Sequence, residues 1–238
     1  MVGALLTLQR EVLRNVRQVG PLGALRRASS KARDVLAGFG TPRETPADPF
    51  DSQYGTETAE IVRVGALDIP AEKLEHTNRY EAVAPEAFDA MMQKLGIRFE
   101  EFVFVDIGSG KGRALLLASR WRFKRVLGVE ISDRLAKLSL QNIRTFCQQV
   151  EGPAPVEVVC GDALEYDLPD ENLVVFLYNP FTEQSMRKLV ANLEGSLEHR
   201  PRRSYVVYHR PVSRMLWDGS DRFRLLDSAE RYAVYQSR

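Results

Sequence analysis

The sequence predicts an α/β protein built on a mostly parallel sheet, and three observations carry that prediction. Apolar runs of strand length, rich in valine and leucine, recur from about residue 102 onward. Stretches with apolar residues at helical spacing lie between the early runs, the alternation that makes a parallel sheet. Directly after the first run comes a glycine-dense segment, D-I-G-S-G-K-G-R over 106–113. A strand, a glycine loop and a helix start in that order form a site for a nucleotide-like ligand.

The elements follow in order. Phe88, Met91, Met92 and Leu95 recur at helical spacing before the first strand. The first strand is the FVFV run at 102–105, and RALLLASR at 113–120 forms the helix after the loop. The second strand, RVLGVEI at 125–131, carries Glu130 near its end, 24 residues after Asp106 and far enough for one helix and one return strand. Ala136, Leu140, Ile143, Cys147 and Val150 predict the next helix and its covered stripe. A third strand at 156–160 ends in Gly161-Asp162-Ala163, and a fourth at 174–177 ends in Tyr178-Asn179-Pro180-Phe181. Met186, Leu189, Val190, Leu193 and Leu197 make a further helix, with Thr182 as its expected cap. A fifth strand at 204–208 and a terminal strand pair at 223–226 and 232–235 complete a sheet of seven.

The glycine loop carries the chemistry. Gly108, Gly110 and Gly112 leave no Cβ between backbone and ligand. A dinucleotide fingerprint needs glycine or alanine at the third position of its pattern, and Arg113 stands there instead. Asp106 also opposes a pyrophosphate, since two negative groups would be neighbours, and it suits a cationic ligand. Strand-end positions gather Asp106, Glu130, Asp162 and Asn179 on one edge of the sheet, where ligands of such folds bind.

The D-x-G-x-G-x-G spacing resembles the first motif of class I S-adenosylmethionine-dependent methyltransferases, and the strand order from about residue 80 resembles their Rossmann-like seven-stranded fold. S-adenosylmethionine carries a sulfonium and an ammonium, so an acidic rim is physically apt. The resemblance implies that Asp106, Gly108, Ser109, Gly110, Gly112, Glu130, Asp162, Ala163 and Asn179 contact this cosubstrate. Glu130 would accept from the ribose hydroxyls and Asp162 would hold the adenine amino group. Tyr178-Asn179-Pro180-Phe181 resembles the (N/D)-P-P-(Y/F) motif of amino-directed methyltransferases with one proline fewer. There the Asn oxygen and the next carbonyl orient the target nitrogen, which makes Asn179 a candidate catalytic residue; the alternative is a strand-ending turn. A looser similarity links the order Tyr80, glycine loop, G-V-E-I and Asn-plus-Phe to the non-SET protein lysine methyltransferases. In those an aromatic-rich segment folds over the cosubstrate, and Tyr80 would be its counterpart, the second candidate in the catalytic machinery.

Composition sets the remaining limits. With 238 residues and a net charge of +1, the chain offers no global field that favours nucleic acid. Residues 1–43 hold eight basic residues against Glu11 and Asp34. In residues 1–50, read as a basic helical extension and linker, Leu5, Leu8, Val12, Val16 and Val19 form an apolar stripe and Arg10, Arg14 and Arg17 another face. That helix suits a peripheral membrane or partner contact, or packing on the catalytic domain. Pro42, Pro46 and Pro49 mark the linker, 51–79 a lid or connecting segment, and 80–238 the methyltransferase domain. Within the lid, Tyr54 and Thr58 are candidate ligand contacts, while Lys111 and Arg113 beside the loop either pair with the cosubstrate carboxylate or face solvent. Cys147 and Cys160 read as reduced core thiols of a cytoplasmic protein, and three scattered histidines make no metal site. His209, just past the fifth strand near the same rim, is a candidate base or a polar strand-end residue, and His76, before the core, is a candidate to reach the site.

The functional expectation is therefore N-methylation of an amine, such as a lysine or N-terminal amine of a protein or peptide. A small-molecule N- or O-methyltransferase is the alternative, and a non-catalytic S-adenosylmethionine-binding module is the third reading.

Overall fold

A computed structural model describes residues 47–74 and 76–238, which lie in one compact unit. The basic extension of the sequence reading falls outside the described residues. The helices are α1 (Pro49–Tyr54), α2 (Ala71–Leu74), α3 (Pro85–Gln93), α4 (Arg113–Ser119), α5 (Asp133–Cys147), α6 (Glu183–His199) and α7 (Arg214–Asp218). The strands are β1 (Val103–Ile107), β2 (Arg125–Glu130), β3 (Val156–Cys160), β4 (Leu173–Tyr178), β5 (Ser204–His209), β6 (Phe223–Ala229) and β7 (Tyr232–Ser237). They form a single sheet in the order β3-β2-β1-β4-β5-β7-β6. All neighbours pair in parallel except β7, which runs antiparallel to both β5 and β6. This is the seven-stranded Rossmann-like sheet that the sequence predicts.

The central strands are continuous apolar runs because both their faces are covered. On one face Phe104, Val126, Val174 and Phe176 meet Phe88, Met91 and Met92 of α3, Leu115 and Leu116 of α4, and Ile143 and Phe146 of α5. Val105, Val129, Val175 and Leu177 on the other meet Met186, Leu189 and Leu193 of α6, with Trp217 of α7 beyond. The chain direction across the sheet reverses between β1 and β4, which opens a crevice above their carboxyl ends.

Three readings of the sequence are corrected. The buried face of α5 runs through Leu135, Ala136, Ser139, Asn142, Ile143 and Phe146, whereas Leu140 points to solvent. Two polar residues on that face hid the true stripe; both serve the glycine loop and the segment over it. Cys160 is exposed at the edge strand β3 and is no core thiol. Pro49 opens α1 rather than continuing a linker: it sits in the first turn, where its missing N–H costs nothing, and Asp48 caps that turn by accepting from the Asp51 N–H at 3.0 Å. Thr182 does stand at the start of α6, but its side chain makes no capping bond.

Phe88 is fully enclosed, with its ring 5.8 Å from Phe104 and 5.4 Å from Phe176. Phe88→Ala is expected to cost about 3–5 kcal/mol in denaturant unfolding, and Leu140→Ala less than about 1 kcal/mol. Equal losses would mean that the face of α5 is wrongly assigned.

Candidate active site

The crevice above β1, β2 and β4 is a cleft of about 930 Å³, open to solvent. Asp106, Gly108, Ser109 and Gly110 line it from the first loop, Glu130 from the second strand, and Asp162 and Ala163 from the segment after β3. Tyr80, His76 and Asn78 line it from above, and Tyr178, Pro180 and Phe181 from the tip of β4.

Two carboxylates are buried side by side at the strand tips. Glu130 is already engaged: one oxygen accepts from the Gly110 N–H at 2.7 Å, the other from the Ser132 N–H at 2.8 Å. It therefore closes the glycine loop onto β2, and burial still raises its pKa against those bonds. Asp106 is only 4% exposed and receives no hydrogen bond among the described residues. Burial first, and the charge of Glu130 second, push its pKa up to about 8. Nearby, the buried hydroxyl of Ser109 also lacks a partner. An uncompensated carboxyl of this kind fits a cationic group entering the cleft.

Tyr80 roofs the loop. A Cβ on Gly110 would sit 2.0 Å from its ring, so alanine there would expel it, and Gly110 also holds a φ of +55°. The Tyr80 hydroxyl donates to the Thr58 carbonyl at 2.7 Å. Desolvation holds the phenol well above its ordinary pKa, so it stays protonated. Gly112 serves a different purpose from the expected one. It starts α4 with a φ of +90° and makes room for Ser139 of α5, away from the cleft.

The segment before Tyr80 is a strap fastened to α4, and its anchors are Lys111 and Arg113. Neither cation faces solvent: each is 2% exposed. Lys111 pairs with Glu57 at 3.3 Å and Glu60 at 3.1 Å. Arg113 reaches Asp48 at 2.8 Å and Asp51 at 3.3 Å, donates to the Thr58 hydroxyl, and stacks over the Phe50 ring at 4.3 Å. Asp51 in turn accepts from the Thr56 and Thr58 hydroxyls and from the Thr58 and Ala59 N–H groups. Burial alone would raise the Asp51 pKa, but these bonds outweigh it and lower the value. Tyr54 packs on Phe50 and Phe146, and Thr58 is wholly buried in the anchor, so neither lines the cleft. Asp51 and the strap's polar knot escaped the sequence reading; the cluster of D, T, T after a proline was the available signal.

Asn179 also departs from expectation. It is absent from the cleft wall, holds a φ of +46°, and its side-chain oxygen accepts from the Tyr208 hydroxyl at 3.1 Å. The Pro180 carbonyl accepts from the Asn78 N–H at 3.0 Å, and the Asn78 side chain donates to the carbonyls of Asn179 and Phe181. Both acceptors expected to orient an amine are thus taken by the protein. Asp162 accepts from the Leu164 N–H at 2.9 Å and pairs with Lys73 of α2, which draws the connecting segment over the far end of the cleft. Among the described residues no group of His, Cys, Asp and Glu suits a metal ion, and no helix is long and apolar enough to cross a membrane.

A family model described as histone methylation protein DOT1 matches residues 72–152, about a third of the chain. That segment holds Tyr80, the glycine loop and Glu130 together. No curated protein matches the sequence. Similar solved structures include an RNA methyltransferase from Salinibacter ruber in complex with S-adenosyl-L-homocysteine, with 18% identity over 65% of this chain and 91% of that one, at a TM-score of 0.43. Ribosomal protein L11 methylase from Lactobacillus delbrueckii subsp. bulgaricus shows 14% identity over 63% and 75% of the two chains, at 0.46. These likenesses are distant, and the sheet order stands on the strand pairing itself.

Two predictions follow from the cleft and its strap. Arg113→Met is expected to destabilise the protein by about 3 kcal/mol in denaturant unfolding, because it strands Asp51 and Asp48 without their buried partner. A loss under about 1 kcal/mol would show that the strap holds without it. Asp106 has a folded pKa above its unfolded one, so its contribution favours the fold at low pH and is lost as pH rises through about 8. In thermal unfolding without ligand, Asp106→Asn is expected to gain on the parent between roughly pH 5 and 9, by a few degrees at the alkaline end; parallel curves would contradict the shift.

Proposed function

We propose that this class I S-adenosylmethionine-dependent methyltransferase transfers its methyl group to a lysine amine of a protein or peptide. The observation that carries the reading is the match of 72–152 to a histone-methylation family over the stretch that contributes Tyr80, Asp106, the loop and Glu130 to one cleft.

The cosubstrate supplies an electrophilic methyl group on a sulfonium sulfur. The Asp106 carboxyl, largely protonated while the cleft holds no cation, would ionise against the ammonium, and the free lone pairs of Glu130 suit ribose hydroxyls. Asp162 would hold the adenine end, Gly108, Ser109, Gly110 and Ala163 would form the backbone of the cradle, and Tyr80 would cover it. The lysine nitrogen attacks with its lone pair, the N–CH₃ bond forming as the S–CH₃ bond breaks, and a thioether leaves. That displacement needs alignment above all, and positioning supplies roughly 7–11 kcal/mol of such a barrier.

An ammonium has no lone pair, so the acceptor loses its proton to solvent before attack. Aromatic walls assist by disfavouring the cation. Tyr178 and Phe181 supply them at the tip of β4. Tyr178 takes over the orienting role that the sequence suggested for Asn179. Burial first, and the neighbouring Glu81 second, push its phenol up to about 12. It stays protonated beside the Glu81 carboxylate and keeps an oxygen lone pair for an amine N–H.

The test uses tritiated S-adenosylmethionine with histones, lysine peptides, RNA and a small-molecule extract. Label is expected on protein lysine; label confined to nucleic acid or small molecules would overturn the reading. Tyr178→Phe is expected to lower kcat about tenfold while calorimetric cosubstrate affinity stays unchanged. An unaltered kcat would remove Tyr178 from the reaction.

A further inference from the structure

A second hollow, open to solvent and enclosing about 630 Å³, adjoins the cleft between α3 and the β6–β7 hairpin. Glu81, Ala82 and Tyr178 wall both spaces, so one layer of side chains separates them. The floor is apolar and narrow-sided: Ala82, Ala84, Ala87, Ala90 and Met91. His209 lines it from the end of β5 with the residue only 6% exposed, its ring edge-on to Tyr178 at 4.5 Å and its Nδ1 atom without a partner. Burial first, then Arg210, hold its pKa down to about 4, so the ring is a neutral imidazole.

The charges at the mouth are uneven. Glu81 is satisfied by Arg210 at 2.8 Å and Arg79 at 3.2 Å. Arg231 is exposed and has no side-chain hydrogen bond or ion pair among the described residues. Its backbone carbonyl accepts from the Arg210 N–H at 2.7 Å, which fixes the hairpin against the end of β5 while leaving the guanidinium free.

We propose that this hollow is the entrance for the methyl acceptor, and that it takes a lysine flanked by acidic residues in a peptide segment. The proposal rests on the lysine reading above and adds the route and the sequence preference. The alanine floor accommodates the methylene stem of lysine, which leads toward Tyr178 in the wall shared with the cleft. Arg231 offers an uncommitted fork to a carboxylate beside the lysine. A phosphate backbone is a poorer fit, because among the described residues a single unpaired cation lines this mouth and phosphate contacts gain strength from many.

The experiment compares two lysine-centred peptides that differ only in flanking Glu or Arg, with tritiated S-adenosylmethionine and three proteins: the parent, Arg231→Glu and Ala90→Trp. The parent is expected to prefer the Glu-flanked peptide about tenfold in kcat/KM, and Arg231→Glu to reverse that order. Ala90→Trp, at an exposed helix position, is expected to raise KM for both peptides about tenfold with calorimetric cosubstrate affinity unchanged. Equal KM values in all three proteins on a methylated lysine peptide would overturn the entrance and leave the lysine reading intact. Label found in RNA with neither peptide methylated would overturn the lysine reading and this proposal together.

Discussion

The cleft depends on one buried guanidinium. Arg113 is the first residue of α4, immediately behind the glycine loop, and its side chain holds Asp48, Asp51, Thr58 and Phe50 of the strap. The same Thr58 offers its carbonyl to Tyr80, and Tyr80 fills the space that Gly110 leaves. The floor and the roof of the site are therefore one mechanical unit. A buried cation is tolerable here because it has two carboxylates, a hydroxyl and an aromatic face around it.

The opposite arrangement holds a few residues away. Asp106 and Glu130 place two acids at adjacent strand tips, and only Glu130 has donors. Asp106 has no protein donor and borders the open cleft, so burial raises its pKa with no hydrogen bond to offset it. The contrast separates two uses of charge in one small region. The strap's ions are paired and structural; the unpaired carboxyl lines the cleft. A cationic group entering the cleft removes the penalty on ionised Asp106, so part of its binding energy comes from relieving the protein rather than from new contact alone.

Much of this was legible in the sequence because the signals are local. Each central strand is an apolar run buried on both faces, so its position shows without knowledge of its neighbours. Asp106 and Glu130 follow directly, since each ends such a run. What stayed hidden is non-local. The partners of Arg113 lie 55 to 65 residues upstream, and nothing in the loop motif announces them. The glycines were read as space for a ligand, yet Gly110 gives its space to Tyr80 and Gly112 to Ser139. The covered face of α5 was misplaced for the same reason: Asn142 is buried to bind Lys111 and Glu57, contacts that periodicity cannot register.

The tip of β4 shows why a short motif is a weak guide to a role. Asn179 and Pro180 match half of an amine-orienting pattern, but Asn78 binds the carbonyls of Asn179, Pro180 and Phe181 in one cluster. With the missing proline the chain turns through a left-handed Asn179, and its side chain goes to Tyr208 on the α6 face of the sheet. The acceptors that a lone amine would need are spent on holding the tip against the connecting segment. Orientation of the acceptor must then fall to side chains that still face the cleft. Tyr178 still lines the cleft from the last residue of β4, beside Glu81 and with His209 against its ring. One residue upstream of the motif, Tyr178 keeps its phenol on the wall of the cleft, while the motif itself became a fastening.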